Sequence, residues 1–137
     1  MNVRASLAAG VAIAMAGIAT SPGTMAQHMN ASDAPRCPGA TSNAAIGACF
    51  ETAYRESDRK LNETFQRIVK TMSAEEQAAL QSAQLLWIRF RDANCEAERL
   101  LYKGGSAAPM VQTACLEAET RHRTEGLMAG FGFPLPK

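Results

Sequence analysis

The chain has 137 residues, with 14 Lys and Arg against 13 Asp and Glu, for a formal charge of +1. This near-neutral balance excludes the basic excess or stripe that a nucleic-acid-binding surface requires. The length fits one domain with a single core of modest stability.

The first stretch, MNVRASLAAGVAIAMAGIAT, places Arg4 before an uncharged run from Ala5 to Thr20. That run is too short and alanine-rich for a membrane span and reads as a secretory signal peptide. Ser21-Pro22-Gly23 breaks it, and Thr24-Met25-Ala26 offers small residues for cleavage after Ala26, with a cut after Ala19 as the alternative. Residues 1–26 are therefore expected to be removed. Arg4 leaves with them, and the remaining chain is formally neutral. No cysteine follows the apolar run directly, so a lipid-modified N-terminus is not expected. Four cysteines behind an export signal, Cys37, Cys49, Cys95 and Cys115, read as two disulfides in a periplasmic or secreted protein.

Residues 27–42 are polar, contain Pro35, Pro38 and Gly39, and form an extended arm. From Asn43 the composition shifts to helix-favouring Ala, Leu, Glu, Arg and Gln. A first helix is predicted from about Asn43 to Met72, because Ile46, Phe50, Ala53, Tyr54, Leu61, Phe65, Ile68 and Met72 recur at three- and four-residue spacing. Ser73-Ala74-Glu75-Glu76 is a capping box that opens a second helix. Leu80, Ala83, Trp87, Phe90, Ala97 and Leu101 are expected to form its buried stripe, and Gly104-Gly105-Ser106 ends it. A third helix starts near Ser106, accepts Pro109 in its first turn and carries Val111, Ala114, Cys115 and Ala118 inward, ending near Met128. The tail 131–137 cannot continue a helix. The expected fold is all-α: a small antiparallel three-helix bundle over residues 43–130, with an N-terminal arm and two disulfides.

Short turns permit counting across them. Cys95 lies nine residues before Gly104 and Cys115 nine after Ser106, which favours Cys95–Cys115 and leaves Cys37–Cys49 to pin the arm. Four cysteines admit three pairings, and the other two stay open. Asn62 and Gln84 are each eleven residues from Ser73 and are expected to meet. Arg91 and Thr120 are each about fourteen from the second turn, and Asp58 falls near the height of Trp87 and Arg91. Asp58, Asn62, Gln84, Trp87, Arg91, Thr120 and Arg121 thus form a partly buried polar layer that sets helix register, with Arg91 expected to satisfy Asp58.

Catalytic chemistry finds little to build on. His28 sits in the arm. His122, in Glu119-Thr-Arg-His122, supplies a single Glu-x-x-His where di-iron bundles need two, and reads as a surface histidine and not a metal ligand. Serine catalysis lacks a placed His and acid, and no Cys-x-x-Cys-His attaches haem. The chain reads as a non-enzyme with no cofactor and no metal.

The string Asp58-x-x-Leu61-Asn62, then Leu80-x-x-x-Gln84-x-x-Trp87-Ile88-x-x-Arg91-Asp92-x-x-Cys95, then Gly104-Gly105-Ser106, Cys115 and Thr120-Arg121 resembles the LprI family from about Cys37 to Leu127. The resemblance implies an envelope-associated or secreted helical domain that inhibits lysozyme by protein–protein binding. This chain lacks the lipid-attachment cysteine of a lipoprotein member. Many lysozymes are basic, so an inhibitor gains from an acidic patch. Asp92, Glu96, Glu117 and Glu119 are expected to supply one beside the Cys95–Cys115 bridge, diluted by Arg89, Arg99, Arg121 and Arg123. The competing reading is an envelope structural or stress-related interaction domain whose partner is another extracytoplasmic protein.

Overall fold

Ser42 stands in extended conformation before the first long helix, and its hydroxyl accepts from the Ala45 amide at 3.2 Å. That side-chain cap starts α2 (Asn43–Val69). A computed structural model describes residues 27–30 and 34–132. It holds a single-turn α1 (Gln27–Asn30), then α2, α3 (Ala74–Leu100) and α4 (Ala108–Phe131), with no strand among the described residues. The expected leader 1–26 lies outside the described residues, as do positions 133–137 of the expected tail.

The turn into α3 is built by the capping box. Glu76 Oε2 accepts from the Ser73 amide at 2.7 Å, and Ser73 Oγ accepts from the Glu76 amide at 3.4 Å. The turn into α4 passes through Gly104 at φ +88°, a left-handed conformation that disfavours any side chain. Pro109 fits the first turn of α4, where its missing N–H is no loss.

Both disulfides follow the favoured pairing: Cys37–Cys49 ties the arm to α2, and Cys95–Cys115 joins α3 to α4 with Cα atoms 5.5 Å apart. The cysteines of the second bridge are completely buried.

The three long helices alternate in direction, yet the closest packing is between α2 and α4, which run parallel. Asn43 Nδ2 donates to Ser106 Oγ at 2.9 Å at their N-terminal ends, and Ser57 reaches Glu117 further along. Helix α4 buries Val111, Ala114 and Ala118 together with Cys115, so it packs on two sides at once. Small side chains at three of its buried positions, Ala108, Ala114 and Ala118, let the neighbouring backbones approach closely. The main core gathers Leu61, Ile68 and Val69 from α2, Leu80 from α3 and Leu127 from α4, with Phe65, Met72 and Trp87 packed against it.

Helix α3 departs from expectation. Leu80 and Cys95 are buried with Arg91, and Trp87 is half-buried. Ala83, Phe90, Ala97 and Leu101, expected inside, face solvent, with Leu101 82% exposed. The physical reason is that α3 leans on α4 and scarcely approaches α2, so it has one covered face too few for all its apolar residues.

Removing Cys95–Cys115 as the double alanine variant is expected to cost about 3 kcal/mol, the scale for a loop of this length, and more than removing Cys37–Cys49. Chemical denaturation of the two variants checks the order. The Glu76 carboxyl is held below its ordinary value by the Ser73 amide and hydroxyl. Its contribution to stability is therefore full above the ordinary carboxylate range and fades as pH falls through the lowered folded value. The melting-temperature gap between wild type and Glu76→Ala should close on acidification, which a thermal melt series across pH measures.

Candidate functional site

Gln84, Trp87 and Arg91 lie at three- and four-residue spacing on α3, so they share the face turned toward the bundle. Arg91 is 8% exposed. Its Nε and Nη2 donate to Asp92 Oδ1 at 2.9 and 2.8 Å, and Nη1 donates to Thr120 Oγ1 on α4 at 3.2 Å. Its guanidinium carbon lies 5.2 Å from the Trp87 ring centroid and 5.7 Å from that of Tyr54 on α2. Arg123 stands 5.7 Å from the Trp87 centroid, so the indole contacts two cations. Such contacts contribute about 0.5–2 kcal/mol each, more as water is removed. Arg123 Nε donates to Gln84 Oε1 at 3.0 Å, and burial lowers the Arg123 pKa. Burial also raises the Tyr54 hydroxyl, with Arg91 pulling the other way.

A second buried pair lies between α2 and α4. Glu117 Oε1 accepts from Ser57 Oγ at 3.0 Å and from Arg121 Nε at 3.1 Å. Glu117 Oε2 is buried without a hydrogen-bond partner among the described residues. Because the Arg121 guanidinium holds this carboxylate as a charge partner, Ser57 sits beside an ion pair and not beside a free base.

Arg91 and Thr120 meet, and Trp87 and Gln84 join them through Arg123. The expected Asn62–Gln84 contact does not form. Asn62 is exposed and donates to Asp58 at 3.0 Å, one turn back on its own helix. Asp58 is half-buried and accepts from Asn62, while Arg91 turns to Asp92 instead. The wide separation of α2 and α3 explains the missing Asn62–Gln84 contact, and Arg91 commits its donors to Asp92 and Thr120. Arg121 belongs to the Glu117 pair.

The acidic residues also divide. Glu117 is 2% exposed and cannot reach a partner's surface, contrary to its expected place in a patch. Its bond to Ser57 across the parallel α2–α4 seam draws it inward. The Asp92 and Glu96 side chains are 57% and 44% exposed, one turn apart on α3, and Glu119 on α4 is half-buried. Glu96 accepts from Arg99 at 2.7 and 2.6 Å and from Gln112 at 3.2 Å, and the Arg99 contact holds its carboxyl below the usual range.

Near the arm, His28 Nε2 is 3.0 Å from Glu98 Oε1, beside Cys115. The Cys115 sulfur is committed to a disulfide and offers no thiolate, so two donors remain where a closed structural metal site takes four. His122 is exposed on α4. An open groove of about 430 Å³ runs between the N-terminal ends of α2 and α4, past Gly47, Ala48, Pro109 and Met110.

Comparison with known proteins matches residues 37–127 to the family model described as Lysozyme inhibitor LprI. The chain belongs to the LprI family. A Rhizobium meliloti (strain 1021) protein, described as uncharacterized protein R02472, is 34% identical over 106 residues, covering 68% of this chain and 76% of its own length. No solved structure matches. The LprI match spans the whole Trp87–Arg91 layer and both disulfides.

Sequence reasoning did not single out Ser57, and it left Tyr54 and Arg123 out of the polar layer. Arg123 carried a usable signal: Trp87 lies seventeen residues before Gly104 and Arg123 seventeen after Ser106. Ser57 carried none, because no turn joins α2 to α4.

Arg91→Ala strips Thr120 of its partner and both aromatic rings of their cation, and should cost about 2–3 kcal/mol. Asp58→Asn, at a half-exposed intrahelical contact, should stay within about 0.5 kcal/mol. Urea denaturation of both variants tests this asymmetry.

Proposed function

We propose that this protein acts outside the cytoplasm as a lysozyme inhibitor of the LprI type, working by protein–protein binding with no chemistry of its own. The observation that carries the reading is family membership across residues 37–127. Two disulfides in so small a domain accord with an oxidising compartment, as does a leader over residues 1–26 cleaved after Ala26 or, alternatively, after Ala19. No helix among the described residues is long and apolar enough to cross a membrane.

For the contact surface, the exposed carboxylates of Asp92 and Glu96 are the acids best placed to meet a basic enzyme, with Glu119 one residue from the level of Thr120. Arg99 holds the Glu96 carboxyl below the usual carboxylate range. The buried layer below holds the helix that presents these acids, which makes Trp87 and Arg91 positioning residues. Steering by exposed charge raises association rate and weakens with salt.

The test is lysis of a cell-wall suspension by a basic lysozyme, followed by turbidity, with the protein in stoichiometric excess. Slowed clearing is expected at low salt. Asp92→Asn combined with Glu96→Gln should weaken inhibition by about tenfold, mainly through slower association. Clearing at the uninhibited rate would remove the lysozyme reading and leave an envelope interaction domain with a different extracytoplasmic partner.

A further inference from the structure

The outward face of α3 carries a regular apolar seam. Leu86, Phe90 and Leu100 are 65%, 57% and 47% exposed. Ala79, Ala83, Ala93 and Ala97, all exposed, fill the positions between them. The spacing alternates four and three residues from Ala79 to Leu100, the seven-residue pattern of a helix built to pack against another helix. None of these residues serves the core, which takes Leu80, Trp87, Arg91 and Cys95 from the other side of α3.

We propose that this seam pairs with the same seam of a second copy, antiparallel and about a twofold axis between Arg91 and Asp92. The proposal goes beyond the inhibitor reading and does not rest on it. Three features select this occupant. First, antiparallel pairing sets every bulky residue against a small one: Leu86 opposite the partner's Ala97, Phe90 opposite the partner's Ala93, Leu100 opposite the partner's Ala83. Such alternation lets facing layers interdigitate without voids or clashes. Second, the same register brings Arg89 beside the partner's Glu96, and the twofold axis repeats the contact. Arg89 is exposed and forms no ion pair among the described residues, so its charge is available. Third, the parallel alternative sets Phe90 against Phe90 and Leu86 against Leu86, stacks alanine on alanine, and leaves Arg89 facing Asn94. A self-complementary patch of this kind is what a twofold dimer requires. With alanine at more than half of the seam positions the interface is small, and the dimer is reversible.

Sedimentation equilibrium of the purified protein, from micromolar to millimolar concentration, tests this without any lysozyme present. The expected result is a concentration-dependent rise from one chain mass to two. Leu86→Glu with Phe90→Glu should sediment as one chain throughout while keeping its helicity and melting temperature, since neither side chain contributes to the core. Arg89→Glu should raise the dissociation constant roughly five- to tenfold, and Arg89→Glu with Glu96→Arg should recover most of that loss. A single-chain mass for the wild type at all concentrations overturns the proposal. So does a dimer indifferent to the Leu86 and Phe90 substitutions, which would use another face.

Discussion

Everything in this fold depends on α4 being packed from two sides. Val111, Ala114 and Ala118 are buried with the Cys95–Cys115 bridge, and the small side chains allow α2 and α3 to approach the same helix. Because α2 and α4 run parallel with no turn between them, their packing must be held by side chains alone. The Ser57–Glu117–Arg121 group sits in that contact. A buried carboxylate costs several kcal/mol unless paired, so the Arg121 contact is what makes Glu117 tolerable there.

The position of α4 determines what is left for α3. Having given one face to α4, α3 stands apart from α2. Arg91 and Trp87 span part of the remaining interval: Arg91 reaches Thr120 on one side and the Tyr54 ring on the other. The polar layer therefore links all three helices at one level. It also divides α3, since the inward face carries Leu80, Trp87, Arg91 and Cys95 while the outward face carries the apolar seam.

Much of this was legible beforehand. The caps at Ser42 and Ser73 depend on local hydrogen bonds, and the sequence signals for them are local too. Counting across a tight turn matched Cys95 to Cys115 and Arg91 to Thr120, because residues equidistant from a turn share a height on antiparallel helices. The same rule misled for Asn62 and Gln84: equal height brings side chains together only if the helices also approach each other, and α2 and α3 do not. Phe90 and Leu101 were misplaced for a related reason. An apolar stripe on a helix has the same spacing whether its own bundle covers it or leaves it open.

By itself the sequence indicated the helical class, the bounds of the three long helices to within a few residues and the favoured disulfide pairing, all consequences of local chemistry or of short-range counting, together with the family resemblance carried by its motif residues. Only the tertiary structure decided that α2 and α4 are the close pair, that Glu117 is interior while Asp92 and Glu96 face outward, and that α3 bears a second apolar face. Those outcomes depend on which helix faces are covered, and coverage is set by contacts between residues up to sixty positions apart, as between Ser57 and Glu117. No local pattern in the chain encodes that distance.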